Sequence, residues 1–156
     1  MKKGFEIGQS NEVIKADKIY DLHNLYNFIG VVLIAKDRRL HILFEPNPEY
    51  GKSQLPILLS FEEIDYLEFS PNFGTRIISG LDEIGYKNPE DRDDEWLMDE
   101  QQATCNDHLF FRMDGGDFIR IHCQNADIVE TEYIINRVIY QSIGSDTVLK
   151  SKPKLD

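Results

Sequence analysis

The sequence predicts a single α+β domain: a mostly antiparallel sheet or small, partly open barrel, carrying one C-terminal helix over about residues 127–143. Three observations predict it. Short β-branched and alternating runs recur through the first two thirds of the chain. A tight Asp114-Gly115-Gly116 turn separates two alternating arms. The last fifth opens on Asp127 with Glu130 three residues later, the spacing of a capping box, and Gly144 follows the stripe Ile128, Ile135, Ile139, Ile143. Strands followed by a terminal helix suit a helix laid on one face, or across one end, of an antiparallel sheet.

Taken in order, residues 1–10 read as a weakly held tail. Residues 12–20 alternate through Val13, Lys15, Asp17 and Ile19 and predict a first strand. FIGVVLIA, KDRR and LHILFE then form the strongest hairpin candidate by composition, and the unbroken apolar first arm predicts a strand covered on both faces. PNPEYGKSQLP, with its three prolines and a glycine, is an exposed loop. ILLSFEEIDYLEFS reads as a strand whose alternation is imperfect. The glycines at 74, 80 and 85 disfavour a long helix, so SPNFGTRIISGLDEIGYKNP reads as loop, strand or short helix, then turn. EDRDDEWLMDEQQA is too charged for a core and is expected to be a loop or short helix anchored by Trp96, Leu97 and Met98. KSKPKLD at 150–156 reads as a second solvated tail.

The chain has 156 residues, 41% hydrophobic and 29% charged, with a formal net charge of -11. That is the composition of one folded domain rather than a disordered or fibrous chain. No secretory signal pattern opens it, and its longest apolar stretch falls far below the roughly 18 residues of a membrane helix. A cytoplasmic protein with Cys105 and Cys123 as free thiols is expected.

The acidity is concentrated. Residues 62–107 hold fourteen acids against Arg76, Lys87 and Arg92, a net of -11 that equals the charge of the whole chain. Such a field repels nucleic-acid phosphate and anionic lipid, and it attracts a basic partner. In character the chain resembles small acidic adaptor and immunity proteins that hold a basic partner. The acidic surface and the aromatic residues within it predict a non-enzymatic interaction module binding through residues 62–107. Asp91, Asp93, Asp94 and Glu95 would supply the charge, and Trp96, Tyr86 and Phe73 the apolar anchors. A homo-oligomer of architectural role is a further expectation.

The hairpin DHLFFRMDGGDFIRIHC supplies the second candidate. A three-residue loop makes paired residue numbers sum to 230, which puts Leu109, Phe111, Met113, Ile119, Ile121 and Cys123 on one wholly apolar face. The other face then carries His108, Phe110 and Arg112 opposite His122, Arg120 and Phe118. Three readings follow for it. The arginines can pair internally with the acidic segment 90–100. They can form a recessed anion site, since guanidinium forks suit carboxylate and phosphate. Or His108 and His122 can serve acid–base chemistry, although no nucleophile or orienting carboxylate stands out in the sequence. His108, Arg112, Arg120 and His122 are therefore the candidate small-ligand residues.

Metal and cofactor signals are weak. Cys105-x-x-His108 with His122-Cys123 has the residue types of a zinc set, but the register turns Cys123 away from both histidines. Asp91, Asp93 and Glu95 lack the glycine a calcium loop needs at its sixth position, where Trp96 stands. No glycine-rich phosphate loop and no G-x-S-x-G elbow occurs. His23 and His41 are isolated and read as structural side chains. No cofactor, metal or catalytic residue is expected.

Overall fold

A computed structural model describes residues 1–130. Ten strands occur there: β1 (Lys2–Lys3), β2 (Glu6–Ile7), β3 (Glu12–Lys15), β4 (Lys18–Asp21), β5 (Tyr26–Ile34), β6 (Arg39–Pro46), β7 (Ile57–Phe69), β8 (Leu81–Lys87), β9 (His108–Met113) and β10 (Phe118–Glu130). The main sheet runs β5-β6-β7-β10-β9-β8, with β1 added in parallel to the later part of β10. β2, β3 and β4 form a separate three-stranded sheet. Alternate residues of the main strands meet inside the curled sheet: Leu40, Ile42 and Phe44 from β6, Ile57, Leu59 and Phe61 from β7, and Ile119 and Ile121 from β10.

The expected α+β class is not what forms. The described chain is nearly all β, and its only helical pieces are two three-residue turns, Ala35–Asp37 and Asp114–Gly116. Asp127, expected to cap a helix, continues β10 opposite Ser60, and Ile128, Val129 and Glu130 pair with Leu59, Leu58 and Ile57. Ile128 is buried in the core, and the Asp127 carboxylate accepts from Lys15 Nζ at 2.7 Å and from the Ile128 N–H. A long ladder of β-branched and leucine side chains thus overrides a local capping signal, as tertiary pairing commonly overrides propensity. The rest of the expected helix, residues 131–143, and the tail at 150–156 lie outside the described residues.

Other expectations are redrawn by topology. Residues 1–10 carry β1 and β2 and bury Phe5 and Ile7. The single strand expected at 12–20 folds back on itself as β3 and β4, with Ala16 at a φ of 52° in the turn. The β5–β6 hairpin forms as read, but β5 is a sheet edge, with Ile29 and Leu33 43% and 51% exposed. It is β6, flanked by β5 and β7, that is buried on both faces from Leu40 to Phe44. The imperfect alternation of β7 also has a physical cause. Glu63 takes a φ of 54° and the β7–β10 register steps near Asp65, so Phe61, Ile64, Leu67 and Phe69 all pack inward.

His41 sits on β6, where burial lowers its pKa and its ring nitrogens meet no partner among the described residues. His23 Nδ1 lies 2.7 Å from the Leu81 carbonyl. Cys105 is exposed and Cys123 buried, and both are free; burial pushes the Cys123 thiol up to about 12. Among the described residues no helix is long and apolar enough to cross a membrane.

Candidate functional site

The β9–β10 hairpin fixes the site. Its pairs are Phe118 with Arg112, Ile119 with Phe111, Arg120 with Phe110 and Ile121 with Leu109, the register of a three-residue loop. Gly115 and Gly116 adopt φ values of 74° and 83°, a left-handed turn that glycine enters without steric cost. Leu109, Phe111, Met113, Ile119, Ile121 and Cys123 all lie fully buried on the core side.

The opposite face is covered as well, by the loop of residues 88–107. Arg120, only 3% exposed, donates from Nη1 to the Asp91 carbonyl and from Nη2 to the Asn88 carbonyl, each at 2.7 Å, while its Nε donates to His108 Nδ1 at 3.1 Å. The guanidinium also lies 5.5 Å from the Tyr66 ring centroid. Arg112 bonds the Glu83 carboxylate and the carbonyls of Asp94 and Glu95, and it stands 6.0 Å from the Phe110 ring. Phe110 stacks on Phe118 at 4.9 Å. Each arginine has an aromatic neighbour, but not the residue directly opposite: Arg112 has Phe110, two positions back on its own strand, and Arg120 has Tyr66, diagonally across on β7.

These contacts correspond to the internal pairing read from the sequence, with one difference. Apart from the Arg112–Glu83 pair and the Arg120–His108 bond, the guanidiniums hold main-chain carbonyls of residues 88–95, not the carboxylates of the acidic segment. A guanidinium has five donors in a rigid fork, and carbonyls displayed by a folded-back loop accept from several of them without using the loop's own carboxylates.

A buried lysine helps to hold the same loop. Lys87, 1% exposed, bonds Asp93 Oδ1 at 2.8 Å and Asp91 Oδ2 at 3.3 Å. An ammonium removed from water requires such partners. The Lys87 ammonium, followed by the Glu95 N–H, holds the Asp93 carboxyl below its ordinary pKa. Farther along, Met98 exchanges two main-chain hydrogen bonds with Tyr86, each 2.9 Å. This close approach requires Gly85, where a Cβ would stand 2.8 Å from both Leu97 Cβ and Met98 O.

The loop therefore presents its charge outward. Asp93, Asp94, Glu95 and Asp99 are exposed, and Trp96 among them is 72% exposed, while Leu97 and Met98, half-buried, do the anchoring. Tyr86 is not at the surface, which corrects its place among the anchors. It is 3% exposed because β8 turns it inward, where its hydroxyl donates to Glu100 at 2.6 Å and meets Lys3 Nζ. Burial first, then Glu100, raises its pKa. Phe73 is half-buried against Phe28 and Phe69. Asp91 is half-buried on Lys87.

His108 and His122 come together with ring centroids 5.5 Å apart. Burial, reinforced by the Arg120 guanidinium, pulls the His108 pKa down to about 4, so at neutral pH its Nδ1 is an uncharged acceptor for Arg120. His122 has the orienting carboxylate the sequence did not reveal, Asp65, 2.6 Å away. Among the described residues no three His, Cys, Asp or Glu side chains group so as to hold a metal. No family model, curated protein or solved structure matches this chain.

Sequence reasoning missed Lys87, Gly85, Asp65 and Lys3. Lys87 had a visible signal, being the base that directly precedes the acidic run. Asp65 had none, because its partner lies 57 residues away and the β7 irregularity sets its direction.

Proposed function

We propose that this chain is a non-enzymatic protein-interaction module that binds a basic partner through the acidic loop 88–107. Trp96 is its apolar anchor, with Asp93, Asp94, Glu95 and Asp99 around it. One observation carries the reading: Arg112 and Arg120 hold the loop by its carbonyls, and the carboxylates of Asp93, Asp94, Glu95 and Asp99 stay exposed on a pre-set backbone. Ordering a loop before binding removes an entropic cost from association, and an aromatic side chain ringed by charge is a common hot spot. The loop carries eight acids against Arg92 alone, a field that steers a cationic partner and makes its on-rate fall with salt.

Trp96 is the only tryptophan in the chain, so its fluorescence reports on the surface itself. The test is to isolate the basic protein that a salt step releases from the immobilised chain, then titrate it against the free chain while following Trp96. The reading expects saturable fluorescence change and at least a roughly tenfold loss of affinity in Asp94→Lys/Glu95→Lys, about 1.4 kcal/mol. Unchanged affinity in that variant, or no change at Trp96, overturns it.

A further inference from the structure

At the far end of the covered hairpin face, the two ring nitrogens of His122 both meet oxygens that can only accept. Nδ1 lies 2.6 Å from Asp65 Oδ1, and Nε2 lies 3.0 Å from the main-chain oxygen of Cys105. A carboxylate and a carbonyl have lone pairs but no proton to give. Both contacts are therefore hydrogen bonds only while the ring carries both protons.

A neutral imidazole has one N–H. The charged carboxylate is the stronger acceptor and retains it. The Nε2 lone pair then faces the Cys105 oxygen at 3.0 Å, and a bond becomes a repulsion. Asp65 lies on β7 and Cys105 in the acidic loop, so the doubly protonated ring ties the loop to the sheet.

The other groups around the ring do not supply the missing donor to Nε2. His108, from β9, is itself engaged with Arg120 of β10, and Asp107 and Asp65 are the acids that bear on the His108 ring. Gln124 reaches only the second Asp65 oxygen, at 3.4 Å. The Met1 ammonium donates to the same Cys105 oxygen at 2.9 Å, and Thr104 bonds Asp107 from its N–H and hydroxyl. These ties are local to the 103–107 turn or come from the chain's first residue, so losing the His122 contact loosens only this end of the loop.

We propose that His122 is a proton-operated latch on the acidic loop, closed when its ring holds both protons and open when one is lost. As regulation of the partner surface this rests on the function proposed above, but the latch is tested with no partner present. A failed latch and a failed partner reading are thus separate results.

The experiment follows amide exchange of Thr104, Asn106 and Asp107 by NMR on the full chain from about pH 5.5 to 8, the range in which imidazoles titrate, after correction for intrinsic exchange. Ring 15N shifts of His122 are recorded on the same samples. Protection of the three amides should fall about fivefold or more as pH rises, in step with the ring signal, and His122→Gln should give a flat profile while Leu109–Ile121 stays protected. A flat wild-type profile overturns the latch, as does the same fall in His122→Gln. Should that variant not fold, a wild-type ring carrying only one proton at the lowest pH overturns it equally.

Discussion

The two faces of the β9–β10 hairpin are both buried, yet they are held by different physics. On the core face, Phe111 and its neighbours are covered by other apolar side chains, and the contribution scales with area removed from water. On the other face, Arg112, Arg120 and His108 are covered by a loop whose backbone supplies the acceptors. Stability concentrates on the first face, whereas the second decides where an acidic loop stands. A core substitution should therefore unfold the domain, and a substitution on the polar face should move the loop first.

The largest effect belongs to the core. Phe111→Ala should cost about 4 kcal/mol in chemical denaturation, since Phe111 is fully buried and in edge contact with Phe61 at 5.9 Å. A loss comparable to that of a surface substitution would place the core elsewhere.

Acid should act next, through His108. The folded ring stays neutral down to about 4, while the unfolded ring protonates near 6.5, so in between the unfolded state binds more protons. Stability from this group is complete above that window and is lost as pH falls through it, by at most about 3 kcal/mol. Wild type minus His108→Gln should isolate this loss, and parallel pH profiles for the two proteins would refute it.

Removing the acids from Lys87 comes third. Asp91→Asn/Asp93→Asn leaves a buried ammonium without counter-charge and should lower the denaturation midpoint, by less than for a fully buried pair because both carboxylates are partly solvated. Lys87→Met in that background should recover most of it. Smallest of all, Gly85→Ala should cost about 1 kcal/mol and increase amide exchange at Met98, because the new methyl meets Leu97 and the Met98 carbonyl.

The same contrast explains what the sequence made legible. The hairpin register followed from one rule, that only the three-residue loop gives a wholly apolar face whereas a slip puts Phe111 beside Phe118 or Arg120, and the observed pairs obey it. The internal pairing of the arginines was also readable, because the acidic segment 90–100 needs cations nearby to lie against the body and two arginines share one face of the hairpin. The carbonyl acceptors were not readable, since residue identities carry no record of which way a loop's backbone turns. Asp127–Glu130 misled for a related reason: the capping-box spacing is local, whereas the ladder to Ile57–Ser60 that captures those residues is formed with a strand some 70 positions earlier. Asp65 and His122 likewise meet only because β7 and β10 pair and the register steps between them.

Arg120 fixes the acidic loop by holding the carbonyls of Asn88 and Asp91. Arg92, exposed in that loop, makes this hold measurable by limited trypsin digestion. In the wild type, cleavage after Arg92 should be slow, and in Arg120→Gln it should be at least about tenfold faster at a denaturant midpoint that still reports a folded domain. Equal cleavage rates at Arg92 in the two proteins would contradict the account.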